Sequence, residues 1–283
     1  MKITLARHTI LLVLLFVTVV SQAQILVLKD AERYSADSIR REYDKLPYFG
    51  LYKDNYFSIG TTMGSKITKY NSDVKFQLSI AQRLTKSVLP FDSYLYLYFS
   101  EKTLWNVFEE SLPMHDLNFN PGIGLSRLVI IKGRVVGKMS VMLEHESNGR
   151  DGDASRSWNK ISFAGAAFID RNFMVHGKYW IPIVDGENNR DILKYSGLFQ
   201  TGFQVISDNR RWVFSVNYTK RSNWNPFSGN IQLDLGFRIH RSANQFIFMQ
   251  YYNGYGECLL DYNKYHSRLR VGLLIRPELF SDF

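Results

Sequence analysis

From about residue 56 to the end, the chain divides into segments in which polar and apolar side chains alternate. In residues 230–239, for example, every second residue is Ile, Leu or Phe, and the residues between them include Gln232, Asp234 and Arg238. Because successive side chains of a β-strand point to opposite faces, each such segment has one apolar and one polar face. Charged residues on the inner face are unusual in a narrow sandwich core, whereas they are typical of a membrane barrel with a polar lumen.

The spacing predicts an all-β fold, a 12-stranded antiparallel transmembrane β-barrel. The connections after even-numbered segments are mostly short, as at residues 169–172 and 208–211, and those after odd-numbered segments are mostly longer. Short turns at one end and long loops at the other are typical of outer-membrane barrels whose termini lie in the periplasm. The predicted strands are residues 56–62, 73–84, 93–105, 121–130, 136–147, 157–169, 173–183, 197–208, 212–220, 229–239, 246–256 and 268–276.

The N-terminal residues indicate the cellular compartment. Lys2 and Arg7 precede an apolar run over residues 10–20, and Ser21-Gln22-Ala23 follows as a small-x-small cleavage site. This pattern predicts a secretory signal peptide at residues 1–23. We expect residues 24–50, charged and partly helical in pattern, to form a periplasmic or plug-side extension, and residues 51–283 to form the barrel. No later stretch has the roughly 20 consecutive apolar residues of a membrane helix.

The charge distribution disfavours a nucleic-acid-binding protein, and the cysteine content excludes a disulfide-stabilised one. The formal net charge is +9, and the basic residues are scattered through the chain instead of clustered on one stripe. This distribution does not favour nucleic-acid binding and is more compatible with the anionic surface of a membrane. Cys258 is the single cysteine, so the chain cannot form an intramolecular disulfide.

A group of residues with hydrolase chemistry lies on the apolar face of two predicted strands. His145 and Ser147 are two residues apart and share their face with Val141 and Leu143, and Asn159 has the same orientation on the following strand. A serine becomes a nucleophile when a histidine accepts its proton and a third polar group orients that histidine. If the apolar face meets lipid, the substrate is a lipid, reached at the level of the outer leaflet.

The motifs around these residues resemble one known family. Residues 145–150 read His-Glu-Ser-Asn-Gly-Arg, and residues 155–159 read Ser-Arg-Ser-Trp-Asn. The outer-membrane phospholipase A family carries His-x-Ser-Asn-Gly-Arg followed, at this loop length, by Ser-Arg-Ser-Trp-Asn. The resemblance extends over the barrel and implies a calcium-dependent phospholipase A1/A2 of the bacterial outer membrane. It also implies a membrane phospholipid substrate and a homodimer as the active form.

The resemblance assigns roles residue by residue. Ser147 matches the nucleophile, His145 the base, Asn159 the group that orients the imidazole, and the N–H of Gly149 a donor of the oxyanion hole.

The same resemblance implies the calcium ligands and a dimer contact. The calcium ligands of the family correspond here to the carbonyl oxygen of Arg150, the side chain of Ser155 and a carbonyl oxygen from the partner subunit's Ser111. Glu101 stands where the family has a glutamine at the dimer contact. A pair of glutamates facing each other across a two-fold axis near lipid would repel unless protonated or bound to calcium.

Two alternatives share the barrel architecture. A non-enzymatic barrel, a porin or an adhesion protein, would have a uniformly apolar outer face, which His145, Ser147 and Asn159 contradict. A lipid acyltransferase would form the same acyl-enzyme and transfer the acyl group to a lipid instead of water. The sequence does not separate hydrolysis from transfer, whereas analysis of the products does.

Overall fold

The structure of the chain is a computed structural model that describes residues 34–184, 186–240 and 242–277. The predicted signal peptide and residues 24–33 of the predicted extension lie outside the described residues. Within the described ranges the α-helices are α1 (Ala36–Lys45) and α2 (Leu193–Ser196). The strands there are β1 (Phe49–Leu51), β2 (Asn55–Thr62), β3 (Ser72–Arg83), β4 (Tyr94–Trp105), β5 (Met114–Ile131), β6 (Arg134–Ser147), β7 (Ser157–Phe168), β8 (Phe173–Ile183), β9 (Phe199–Ile206), β10 (Trp212–Lys220), β11 (Gly229–Arg238), β12 (Gln245–Gly254) and β13 (His266–Ile275).

Each strand from β2 to β13 pairs antiparallel with its neighbours in the chain, and β13 returns to pair with β2. The short strand β1 pairs with β3 along the same edge as β2, since Leu51 stands opposite Ile80 and Tyr56 opposite Gln77. β1 and β2 therefore act as one interrupted strand of the wall. Among the described strands the closed wall leaves no unpaired edge, which is the arrangement a strand-built membrane protein requires. The prediction of a 12-stranded antiparallel barrel is confirmed.

The predicted strand boundaries agree within two residues with the observed ones, except that β1 was not predicted and that β5 starts earlier. This strand was predicted to begin at residue 121, and it begins at Met114. Residues 116–120 alternate, but Asn118 and Asn120 have low β-propensity, and proline, present at 113 and 121, is rare inside a strand. Pairing with β4 on one side and β6 on the other overrides these local preferences. The additional residues of β5 lie beside the candidate site.

The alternation in sequence becomes an apolar outside and a polar inside. On β6, Val141 and Leu143 point outward and are 47% and 57% exposed, whereas Ser140 and Glu144 point inward and are buried. An exposed apolar band of this kind matches the lipid-facing surface of a membrane barrel. No helix in the described part of the chain is long and apolar enough to cross a bilayer.

Inward-pointing charges are paired across the lumen. Arg270 on β13 donates to Asp73 at 2.8 Å and to Glu257 at 2.6 Å, and Lys75 donates to Glu257 at 3.2 Å. A buried charge without a partner would carry a large desolvation penalty, so these pairs explain how the lumen accommodates so many ionised groups. A cavity of about 250 Å³ lies within the barrel and is lined largely by polar residues.

We expect Arg270→Ala to lower the free energy of unfolding by about 3 kcal/mol, because the change leaves Asp73 and Glu257 buried with fewer partners. Urea unfolding of the refolded barrel in detergent micelles measures the effect. Lys69→Ala, in an exposed loop, is the control and should change the unfolding midpoint little. A similar midpoint for both variants would show that the lumenal pairs do not stabilise the barrel.

Helix α1 packs at the end of the barrel where β3 finishes and β4 begins. Ser35 caps the helix by accepting a hydrogen bond from the Ser38 N–H at 3.1 Å. The guanidinium of buried Arg83 donates to the carbonyl oxygens of Tyr43 and Leu46 at 2.7 and 2.9 Å, and so fixes the helix C-terminus to β3. The assignment of residues 24–50 to the periplasmic side of the membrane stays a prediction.

Candidate active site

The register of β6 and β7 brings two of the predicted catalytic residues together. His145 stands opposite Asn159, and Nδ1 of His145 lies 2.8 Å from Oδ1 of Asn159. An amide oxygen can only accept a hydrogen bond, so Nδ1 of the imidazole carries the proton and donates it. With the proton on Nδ1, a neutral imidazole has a free lone pair on Nε2. This tautomer is the one that a general base needs.

Ser147 is the last residue of β6 and lies on the same face of the strand as His145. Ser147, His145 and Asn159 are all half-buried, and their surroundings on this face are apolar. Asn159 stands opposite Ile183 on β8, which is 53% exposed, and Leu143 lies on the other side of His145 along β6. The three polar side chains therefore lie on the outer apolar wall of the barrel, where a lipid acyl chain can approach them.

On the other side of His145, β5 supplies an unusual contact. The register at Phe119 and Gly122 places Pro121 opposite His145, and a proline has no N–H to donate to the ladder. The side chain of Asn120 supplies the missing donor, since its Nδ2 lies 2.8 Å from the carbonyl oxygen of His145. The backbone of His145 is thus held by a side chain at the position where the regular ladder is interrupted.

The loop at residues 148–156 joins β6 to β7 and contains the remaining residues predicted from this part of the chain. Buried Asn148 closes the loop, because its Oδ1 accepts from the Arg156 N–H at 2.9 Å and its Nδ2 donates to the carbonyl of Ala154 at 2.9 Å. Gly149 has φ +62°, a left-handed conformation that favours glycine, and a Cβ there would lie 3.2 Å from the ring of Phe119. The backbone turns sharply directly after Ser147.

The same loop offers oxygen ligands suited to a hard cation. Arg150 and Ser155 both belong to this loop. The guanidinium of Arg150 donates to the carbonyl oxygen of His115 at 2.6 Å, so the positively charged group is engaged with β5. Among the described residues no group of three or more His, Cys, Asp or Glu is placed to hold a metal. A calcium ion here would depend on carbonyl and hydroxyl oxygens, which calcium accepts, together with water and a second chain. The residues present fit such a site.

The structure places the two predicted dimer-related residues on accessible surfaces. Ser111 lies in the exposed loop between β4 and β5 and has φ +67°. Glu101 has the same orientation on β4 as the exposed Leu97 and Phe99, so its carboxylate lies on the outward face, where it accepts a hydrogen bond from Thr103 at 3.1 Å. Both residues are therefore available to a second chain.

Several residues that hold the site were not predicted from the sequence. Asp116 on β5 is fully buried and accepts hydrogen bonds from the Leu260 N–H at 2.8 Å and from Asn118 at 2.5 Å. Nearby, Nε2 of His115 lies 2.9 Å from Asp261, and this hydrogen bond holds the pKa of Asp261 well below its ordinary value. Continued alternation before residue 121 was the signal that could have placed Asp116 in a strand.

Comparison with known proteins identifies the family. The model of the phospholipase A1 family matches residues 30–275. Phospholipase A1 of Escherichia coli K12 is 31% identical over 218 residues, which cover 74% of this chain and 71% of that protein. Phospholipase A1 of Proteus vulgaris is 29% identical over 245 residues, 81% of each chain.

Solved structures show the same fold. An outer membrane phospholipase dimer with bound calcium from Salmonella typhi superposes with a TM-score of 0.72 at 27% identity, covering 88% of this chain and all of that one. An active-site mutant of outer membrane phospholipase A from E. coli, in which an asparagine is replaced by alanine, gives a TM-score of 0.72 at 28% identity over the same shares. The chain belongs to the phospholipase A1 family and is an ester hydrolase that acts on phospholipids from a β-barrel in the bacterial outer membrane.

Proposed function

We propose that the chain hydrolyses the acyl esters of glycerophospholipids with Ser147 as nucleophile, His145 as general base and Asn159 as the residue that orients the imidazole. The observation that carries this proposal is the 2.8 Å contact between His145 Nδ1 and Asn159 Oδ1 on the apolar outer wall. The active-site asparagine of the E. coli relative supports the role of Asn159.

The reaction follows from these positions. Oγ of Ser147 attacks the ester carbonyl while Nε2 of His145 takes the hydroxyl proton, and the resulting tetrahedral intermediate carries a negative oxygen. When the intermediate collapses, His145 returns the proton to the leaving alcohol, a lysophospholipid, and the acyl group remains on Ser147. Water then attacks this acyl-enzyme with His145 again as the base, which releases a fatty acid and restores the serine.

Asn159 gives a different kind of support from an aspartate. Its neutral oxygen fixes the imidazole tautomer but stabilises the transient imidazolium less than a carboxylate would. Beside lipid, a permanent negative charge would itself be expensive, so a neutral orienting group suits this location.

We propose that the oxyanion accepts a hydrogen bond from the N–H of Gly149, which lies in the sharp turn that follows Ser147. We further propose that calcium is held by the Arg150 carbonyl, the Ser155 side chain and the carbonyl of the partner subunit's Ser111. Calcium bound there would supply positive charge that stabilises the oxygen that becomes negative. The dimer with bound calcium from Salmonella typhi supports both the metal and the homodimer.

The site is proposed to act on the outer leaflet. His145 and Ser147 lie at the end of β6 that leads into the loop at residues 148–156, and the long loops of a bacterial barrel lie outside the cell. The opposite end carries the short turns and helix α1.

The experiment that tests the proposal uses purified, refolded protein and a glycerophospholipid in mixed micelles, with calcium or with a chelator. Hydrolysis releases free fatty acid and lysophospholipid in equal amounts. Acyl transfer would instead give lysophospholipid and a newly acylated lipid, without an equivalent of free fatty acid, and that product pattern would contradict hydrolysis.

Asn159→Ala should lower kcat by roughly 10²-fold and leave measurable activity, because a misoriented base still samples the productive position. Fatty-acid release at saturating lipid measures the effect. Asn244→Ala, at the opposite end of the barrel, is the control. Unchanged turnover in Asn159→Ala would remove Asn159 from the triad.

Glu101 tests the proposed dimer. If two copies place this outward carboxylate near their two-fold axis, Glu101→Gln removes a repulsion between like charges and should strengthen dimerisation at low calcium. Sedimentation in detergent with and without calcium measures the dimer constant. Glu42→Gln removes the same charge from an exposed residue of helix α1, at the opposite end of the barrel, and serves as the control. An unchanged constant for Glu101→Gln would place Glu101 away from the two-fold axis.

A further inference from the structure

Glu146 lies between His145 and Ser147 in the chain, but its side chain points to the opposite side of the barrel wall, into the lumen. Its Oε2 accepts hydrogen bonds from Nε1 of Trp158 at 3.1 Å and from Nζ of Lys160 at 2.7 Å. Trp158 and Lys160 are the two neighbours of Asn159 in the chain. A single carboxylate therefore binds both residues that flank Asn159, while itself lying between His145 and Ser147.

These three lumenal groups also fix one another. The ring of Trp158 is 3% exposed, and Nζ of Lys160 lies 4.4 Å from its centroid, a cation–π distance. The side chains of Lys160 and Glu146 are 10% and 19% exposed, so their ion pair is shielded from most of the solvent. A charge-assisted hydrogen bond in such surroundings is stronger and more directional than one on the surface.

Beside His145 the regular ladder between β5 and β6 is interrupted, so contacts with β7 matter more for its position. Between the pairs Phe119–Ser147 and Gly122–Glu144, the β5 ladder includes Pro121, which cannot donate, and the Asn120 side chain donates to the His145 carbonyl instead. Both catalytic strands also end within a few residues of the site. The spacing between His145 and Asn159 consequently depends on contacts between β6 and β7.

We propose that Glu146 is a positioning residue, which fixes β7 against β6 from the lumenal side and so holds Asn159 at hydrogen-bond distance from His145. The inference rests on the catalytic triad proposed above. It adds a residue that neither touches the substrate nor lies on the same face as the triad.

The first test is the kinetics of Glu146→Ala and Glu146→Gln. The alanine variant should lower kcat about tenfold with little change in KM, because it disturbs the orientation of the base and leaves lipid binding intact. The glutamine variant keeps an acceptor oxygen for Trp158 and Lys160 but lacks the charge, so it should lose only about threefold. Asp234→Asn, a buried lumenal carboxylate on β11 bonded to Gln232 and Gln250, is the matched control and should retain wild-type kcat.

The second test is a double-mutant cycle with Asn159→Ala. If Glu146 acts through Asn159, its replacement should lower kcat less than about twofold once Asn159 is absent. The same loss in both backgrounds would overturn the proposal and leave only a general structural role. If Glu146→Ala does not assemble into a heat-resistant barrel, Glu146→Gln is measured instead, with Asn159 present and with Asn159→Ala. A glutamine variant that keeps full kcat, or that loses the same factor in both backgrounds, overturns the inference.

A failure of the positioning role can be distinguished from a failure of the proposed triad. Wild-type turnover in Ser147→Ala would refute the proposed chemistry whatever Glu146 does. An inactive Ser147→Ala together with additive effects of Glu146 and Asn159 would refute the positioning role alone.

Discussion

Ser147→Ala is expected to lower kcat for phospholipid hydrolysis by about 10⁴-fold or more, and His145→Ala by a similar factor. Without the hydroxyl no acyl-enzyme can form, and without the imidazole no group at this site removes the hydroxyl proton. Both side chains lie on the outer wall and are not among the lumenal ion pairs that stabilise the barrel. Initial rates of fatty-acid release at saturating lipid measure the loss.

The folded state of these variants must be checked separately. Both should keep the shifted electrophoretic mobility of an unheated barrel and an unfolding midpoint close to that of the unchanged protein. Ser140→Ala, which removes a lumenal hydroxyl from the same strand, is the control and should keep its activity. Turnover near the wild-type level in Ser147→Ala would show that another residue is the nucleophile.

Removal of calcium is expected to abolish activity, because the proposed positive charge beside the oxyanion is lost. Ser155→Ala should raise the calcium concentration needed for half-maximal activity about tenfold, since one oxygen ligand of an exposed site is removed. Titration of activity with calcium, after treatment with a chelator, gives both results. Ser222→Ala, in the exposed loop between β10 and β11, is the control.

Calcium should act on the site and not on the fold. The barrel wall is closed by strand pairing, and its lumenal charges pair with one another, so a chelator should leave the unfolding midpoint nearly unchanged. Full activity in excess chelator would contradict the metal role. Loss of the folded barrel in chelator would contradict the view that calcium is needed for chemistry alone.

Much of the fold could be predicted because alternation is a local property of the chain. Residues 230–239 show which side chains face lipid without any knowledge of their neighbours, and the same holds for most other strands. The start of β5 was missed, although residues 116–120 alternate. Asn118 and Asn120 disfavour a strand locally, and only pairing with β4 and β6 makes one.

Part of the candidate site could likewise be predicted from the local sequence, and part could not. The orientation of His145 and Ser147 follows from their spacing on one strand, and their resemblance to a known motif gave the proposed roles. The contact of His145 with Asn159 depends on the register between β6 and β7. The donor from Asn120, the buried acceptor Asp116 and the bridge from Glu146 to Trp158 and Lys160 connect different strands, and no local pattern shows them.

By itself, the sequence determined the class of fold, the lipid-facing side of each strand and the presence of Ser147, His145 and Asn159 on that side, because these features depend on a two-residue period and on residue identity. The tertiary structure alone decided which side chains meet across strands and which buried groups hold them. Such contacts join residues far apart in the chain, and their geometry is set by register and closure of the barrel, which are properties of the whole sheet.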